Sequence, residues 1–257
     1  MSPPHGRPKE GSLPLGGKAR SAKGAPINRA GRVALYVIAA PVAIALLWLA
    51  WITAHIGWYR FEPPRETAFM AQRFVETRAK SSTVTQLYRW VPYARISVQL
   101  KRAMIAAEDA KFVAHGGFDW DGMEKAHEKN RQKGHVVAGG STITQQLAKN
   151  LFLSPAKSYW RKAEEAVITV LLEAMLPKQR IFELYLNVIE WGTGVFGAEA
   201  AAQRYFGVTA AQLSTEQAAR LAAMTPSPRK FERNPHSAYL DGRVAALLPR
   251  MPGAVVP

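Results

Sequence analysis

The sequence predicts an all-α domain behind one membrane-spanning helix. Three observations carry that expectation. Residues 33–52 are twenty in a row without a charge. Beyond residue 67, Ala, Leu, Gln, Glu, Lys and Arg dominate, and β-branched alternation is scarce. Glycine and proline cluster at Gly116-Gly117, Gly139-Gly140, Pro155, Pro177, Gly192 to Gly197 and Pro226 to Pro228, where helices would end.

The uncharged run is the first element. As a helix at about 1.5 Å per residue it would reach about 30 Å, the thickness of a hydrocarbon core. It exceeds the h-region of a cleavable signal peptide, and no small-residue cleavage site stands out after it. Trp48, Trp51, Trp58 and Tyr59 gather toward its far end, as in an interfacial aromatic belt. Ahead of it, the first 32 residues hold seven cations against one acid and are too polar to order themselves. That flank predicts a cytoplasmic N-terminus. The expected organisation is a disordered basic tail at 1–32, a membrane helix at 33–58 and one domain at 59–257.

Composition narrows the partners. Of 257 residues 48% are apolar, enough for a core, and the net charge is +15. Without the first 32 residues the balance is still +9, so an anionic partner is expected. Nucleic acid is excluded as a reading: no zinc-finger spacing or aromatic RNA-binding signature is present, and the domain is expected outside the cytoplasm. With no cysteine there is no disulfide and no thiolate metal site.

Four blocks carry candidate chemistry. In the first, Ser97 caps a helix with Leu100, Met104 and Ala107 on one stripe, leading to Glu108-Asp109 and on to Phe112, His115 and Gly116-Gly117. A helix continued to the glycines would align Glu108, Phe112 and His115 on one face. The residues alone leave two readings, a tuned general base or a surface acid pair above a core Phe. The second block is Gly139-Gly140-Ser141-Thr142-Ile143-Thr144-Gln145-Gln146-Leu147-Ala148-Lys149. Its polar row of Thr142, Gln146 and Lys149 suits a substrate with hydroxyls and phosphates, or else is a solvated face. It is no P-loop, since the Gly-Lys-Ser/Thr ending is absent. In the third, Arg161 and Glu165 are helical neighbours beside an apolar run, which by itself reads as an ordinary ion pair. In the fourth, Ile181, Leu184, Tyr185 and Val188 are spaced for a core helix before the Trp191-Gly192-Thr193-Gly194 loop, and architecture is the favoured reading.

In this order the blocks resemble the family 51 glycosyltransferases, the peptidoglycan transglycosylases. The resemblance covers residues 85–250 and includes Leu213-Ser214, Glu216, Pro226-Ser227-Pro228 and Asn234-Pro235. The anchor, the length and the stretch from Trp90 to Ser97 are similar to its monofunctional biosynthetic class. The resemblance implies a lysozyme-like fold with a small membrane-proximal lobe, to which 118–137 would belong. It implies catalytic carboxylates at Glu108 and Glu165, and substrate contacts at Asp109, Phe112, His115, Thr142, Gln146, Lys149 and Arg161.

The implied reaction transfers a growing lipid-diphosphate-linked glycan onto the 4-hydroxyl of lipid II with inversion, releasing undecaprenyl diphosphate. Glu108 would be the base, while Lys149 and Arg161 would serve the leaving diphosphate. The resemblance implies no firmly required cofactor. Glu165 would either orient Arg161 or hold a divalent cation, Mg or Mn, at the diphosphate. The implied partners are lipid II, the growing chain and membrane lipids, with room for cell-wall synthesis or division proteins. The implied location is the inner membrane, single-pass, with a periplasmic domain. Two rivals share the fold: a lytic transglycosylase or lysozyme-like hydrolase, and a non-catalytic scaffold of the division machinery. A fused transpeptidase is not expected, because Ser154-x-x-Lys157 and Ser227-x-x-Lys230 have no Lys-Thr-Gly partner.

Overall fold

The computed structural model describes Met1 and residues 29–79, 85–135, 139–154 and 158–257. Most of the expected basic tail lies outside the described residues, as does Val137 at the end of the expected lobe. Two units divide the chain after Leu47.

In the first unit, helix α1 (Arg29–Tyr59) begins four residues before the expected 33 and runs through Pro41 without a break. Tyr36, Val37, Ile38, Val42, Ile44, Leu46 and Leu47 are all exposed. An apolar helix with outward-facing apolar side chains needs an apolar solvent. Within residues 36–59 the most apolar 18-residue window has a mean hydropathy of 2.2, which fits a single membrane crossing.

In the second unit, 48–257, the last turns of α1 join the domain. Ile52 and Ile56 are buried, Trp51 meets Phe152 edge-on at 6.0 Å, and Arg180 Nε donates to the Tyr59 carbonyl at 2.7 Å. The chain continues as α2 (Ala68–Arg78), α3 (Val98–Glu108), α4 (Trp120–Lys133), α5 (Ile143–Phe152), α6 (Tyr159–Met175), α7 (Lys178–Val188), α8 (Ala198–Phe206), α9 (Thr215–Met224), α10 (Pro228–Phe231) and α11 (Ala238–Leu247). The predominantly helical prediction stands. Helix α5 is central, touching α2, α6 and α7, while α3 packs on α9 and α9 on α11. The spacing of Ile181, Leu184, Tyr185 and Val188 does make a core face, and all four are fully buried.

A small sheet adds to the helical expectation. Strands β1 (Leu87–Tyr88), β2 (Glu190–Gly192) and β3 (Val195–Phe196) pair in the order β1-β3-β2. β1 runs parallel to β3 and β2 antiparallel to it. These runs are too short to show alternation. Asn187 sets their place: its Oδ1 accepts the Val91 N–H at 2.9 Å and its Nδ2 donates to the Val91 carbonyl at 3.0 Å. Gly197 passes so close that a Cβ would lie 2.5 Å from the Asn187 carbonyl, at φ +82°. The glycine loop is therefore architecture, as its composition suggested.

Candidate active site

Helix α3 ends at Glu108 and does not run on to the glycines. Asp109 leaves helical geometry at φ −160° and ψ 78°, and residues 112–114 form a separate 3-10 turn. Glu108, Phe112 and His115 are thus not three positions on one helical face. The physical reason is tertiary. Asp109 Oδ2 accepts the backbone N–H of Ile143, at the start of α5, at 3.0 Å. A helix N-terminus offers unpaired N–H groups and positive partial charge, so a buried carboxylate there outweighs another helical turn.

His115 closes the loop. Gly117 N–H donates to its Nδ1 at 3.1 Å, so the ring proton sits on Nε2 and points to Asp109 Oδ1 at 2.9 Å. Phe112 is fully buried beneath, with the Lys178 ammonium 4.5 Å from its ring centre. Gly117 adopts φ +95°, and a Cβ there would meet Thr169 Cγ2 at 2.7 Å. Its carbonyl accepts from Thr142 Oγ1 at 2.7 Å. Thr142 is also the α5 N-cap, its hydroxyl taking the Gln145 N–H while Gln145 Oε1 takes the Thr142 N–H. Asp109, His115 and Thr142 therefore have their polar atoms engaged inside the protein. Together they fasten the segment after Glu108 onto the start of α5.

Glu108 is half-buried and held by two donors from different helices. Gln146 Nε2 on α5 donates to Oε2 at 2.8 Å, and the Thr225 hydroxyl, just past α9, donates to Oε1. Gln146 is oriented in turn: its Oε1 accepts from the Tyr185 hydroxyl at 3.1 Å. Burial drives the Tyr185 hydroxyl well above its ordinary pKa, with Glu108 and Asp109 adding to the effect, so it stays a donor. Glu108 lines a cavity of about 150 Å³ with Asp119, Gly140, Ser141 and Arg250. Gln146 and Thr225 line a second, of about 190 Å³, with Lys149, Arg73, Asn150 and Glu190. The Glu108 network bridges the two.

The Lys149 ammonium makes no ion pair or hydrogen bond among the described residues. Burial lowers its pKa; Glu165 opposes that, while Arg161, Arg73 and Lys162 reinforce it. Glu165 is buried and takes Arg161 on Oε2 at 2.8 Å and Lys162 on Oε1. Both of its oxygens face cations. No group of three His, Cys, Asp or Glu side chains gathers among the described residues. Glu165 pairs with Arg161, whose Nε is buried without an acceptor.

Two residues of this site were missed in the sequence. Thr225 carried no signal, being one hydroxyl at the end of an apolar helix. Tyr185 was read only as core, because helical spacing does not report where a hydroxyl ends.

Comparison with known proteins gives the family. The family model described as Transglycosylase matches residues 76–252. A "Biosynthetic peptidoglycan transglycosylase" of Dechloromonas aromatica (strain RCB) is 57% identical over 216 residues, 84% of this chain and 94% of that protein. Proteins with the same description are 53% identical in Azoarcus sp. (strain BH72), over 80% of this chain and 92% of theirs, and in Aromatoleum aromaticum, over 90% and 98%. With the match spanning most of the domain, including Glu108, Gln146, Lys149 and Glu165, the chain belongs to the transglycosylase family.

Proposed function

We propose that this enzyme polymerises peptidoglycan glycan strands, transferring the growing lipid-diphosphate-linked chain onto the 4-hydroxyl of lipid II. The observation that carries the reading is Glu108, gripped by Gln146 and Thr225 between a polar cavity and a cation-lined one. The acceptor hydroxyl lies against Glu108, which takes its proton as the oxygen attacks the anomeric carbon. The bond from that carbon to the diphosphate oxygen breaks, and its electron pair leaves with undecaprenyl diphosphate. Lys149 and Arg161 stabilise that developing charge, which a neutral leaving group would not need. One displacement inverts α to β. Glu165 keeps Arg161 aimed.

The setting supports the same reading. The substrate is anionic and confined to a bilayer, and the chain has a membrane helix and a cationic domain. Seven cations precede residue 33, which supports a cytoplasmic N-terminus and a periplasmic domain at the inner membrane. Incubating the purified chain with lipid II tests the proposal. Long glycan should appear. Shortening of added glycan would instead reveal a hydrolase, and no change in either would leave a scaffold.

A further inference from the structure

Helix α2 lies mostly ahead of residues 76–252, the span of the family match. Two of its side chains nevertheless line the second cavity, beside Gln146, Lys149 and Glu190. The Arg73 guanidinium lies 4.8 Å from the centre of the Phe69 ring, and the Lys149 ammonium lies 5.6 Å from the same centre.

Arg73 is only partly satisfied. Its NH1 donates to Glu76 Oε2 at 2.7 Å, while its Nε stands 3.5 Å from Glu190 Oε2, buried and without a hydrogen-bond acceptor. Arg229 Nε donates to the other Glu190 oxygen at 2.7 Å, and Arg229 NH2 is also buried without an acceptor. Among the described residues, the buried side-chain nitrogens lacking an acceptor are these two and Arg161 Nε. All three are guanidinium N–H groups, and each of these arginines is paired to a carboxylate, Glu190 or Glu165. One carboxylate, Glu190, faces two arginines, and Lys149 has none within ion-pair reach among the described residues. The cavity itself is lined by Arg73 and Lys149 against one carboxylate, Glu190, so it carries surplus positive charge.

We propose that Arg73 is a further binding residue for the substrate diphosphate, held in place by Glu190, and that α2 supplies a wall of that site beside α5. This rests on the polymerase reading above. A guanidinium fork matches phosphate oxygens, and the Arg73 side chain lines the cavity with 25% of its surface exposed. A sugar hydroxyl could accept one hydrogen bond, but only an anion also relieves the repulsion between Arg73 and Lys149.

The test measures binding of undecaprenyl diphosphate and of undecaprenol to the full chain in neutral detergent. Wild-type protein should prefer the diphosphate. Arg73→Gln should bind it about tenfold more weakly, with a shallower salt dependence and unchanged affinity for the alcohol. Arg73→Lys, which keeps the charge and the ring contact, should recover part of the loss and raise KM for lipid II more than it lowers kcat. Glu76→Gln, which removes only the helical ion pair, should bind like wild type. Unchanged diphosphate affinity in Arg73→Gln would overturn the proposal. So would an equal loss for the alcohol, or a Glu76→Gln defect as large as that of Arg73→Gln. If wild-type protein shows no preference for the diphosphate, the polymerase reading fails with it, which is a separate result.

Discussion

Glu108→Gln separates proton transfer from every other role of this side chain. The carboxylate receives one hydrogen bond from Gln146 and one from Thr225. The new amide can still accept from Gln146 through its oxygen, but its NH2 faces Thr225, a second donor. Thr225 has an alternative. Its hydroxyl also lies 2.8 Å from the Ala222 carbonyl, so it can donate there and accept from the amide. No buried donor is stranded, and the stability loss should stay under about 1 kcal/mol, below the usual cost of an unsatisfied group. The chemical loss is larger. A general base contributes about 10²–10⁴ in rate, so turnover should fall at least about a hundredfold, or about 2.7 kcal/mol in barrier. The assay is polymerisation of labelled lipid II, with lipid II binding and a thermal melt run in parallel. Near-normal turnover in a folded variant would refute the base assignment, and Asp109 could not replace it, being buried against Ile143 and His115. A variant that fails to fold would refute the repacking argument.

The pKa of Lys149 is lowered by burial and by the cations around it. If its protonated form binds the diphosphate, affinity should be lost as pH rises through that lowered value, earlier than for an ordinary lysine. A KM–pH profile should show the limb, and Lys149→Arg, which stays charged, should flatten it. Asp109→Ala strands the Ile143 N–H and the His115 Nε2–H, and should cost about 2–3 kcal/mol, or roughly 4–12 °C in Tm for a domain of this size. Calorimetry checks it, and an unchanged Tm would mean that Asp109 does not fasten the loop. Gly117→Ala meets both a positive φ and the Thr169 methyl, so about 1–3 kcal/mol should be lost; Thr169→Ser in the same chain should restore only the steric part. A reporter fused after Pro257 should work only if it is active outside the cytoplasm, and cytoplasmic activity would reverse the proposed topology.

What the sequence determined by itself is what local pattern can carry. Twenty uncharged residues specify a membrane helix because every buried backbone group must be satisfied within the segment. Helix α7 was legible because apolar residues at 3.6-residue spacing have one place to go. The glycine-serine-threonine block signalled the start of α5, since Thr142 and Gln145 form a capping box within four residues. What lay between elements far apart in sequence was decided only in three dimensions. Nothing near Glu108 says that α3 stops there; the stop depends on the Ile143 N–H, 34 residues on from Asp109. Nothing near Thr225 says that its hydroxyl meets a carboxylate 117 residues earlier. The sequence singled out nothing at Arg73; α2 packing on α5 brings it to the cavity of Lys149. A side chain's chemistry is written in the sequence, but its partners depend on which surfaces close together to bury the core, and local spacing carries no record of that.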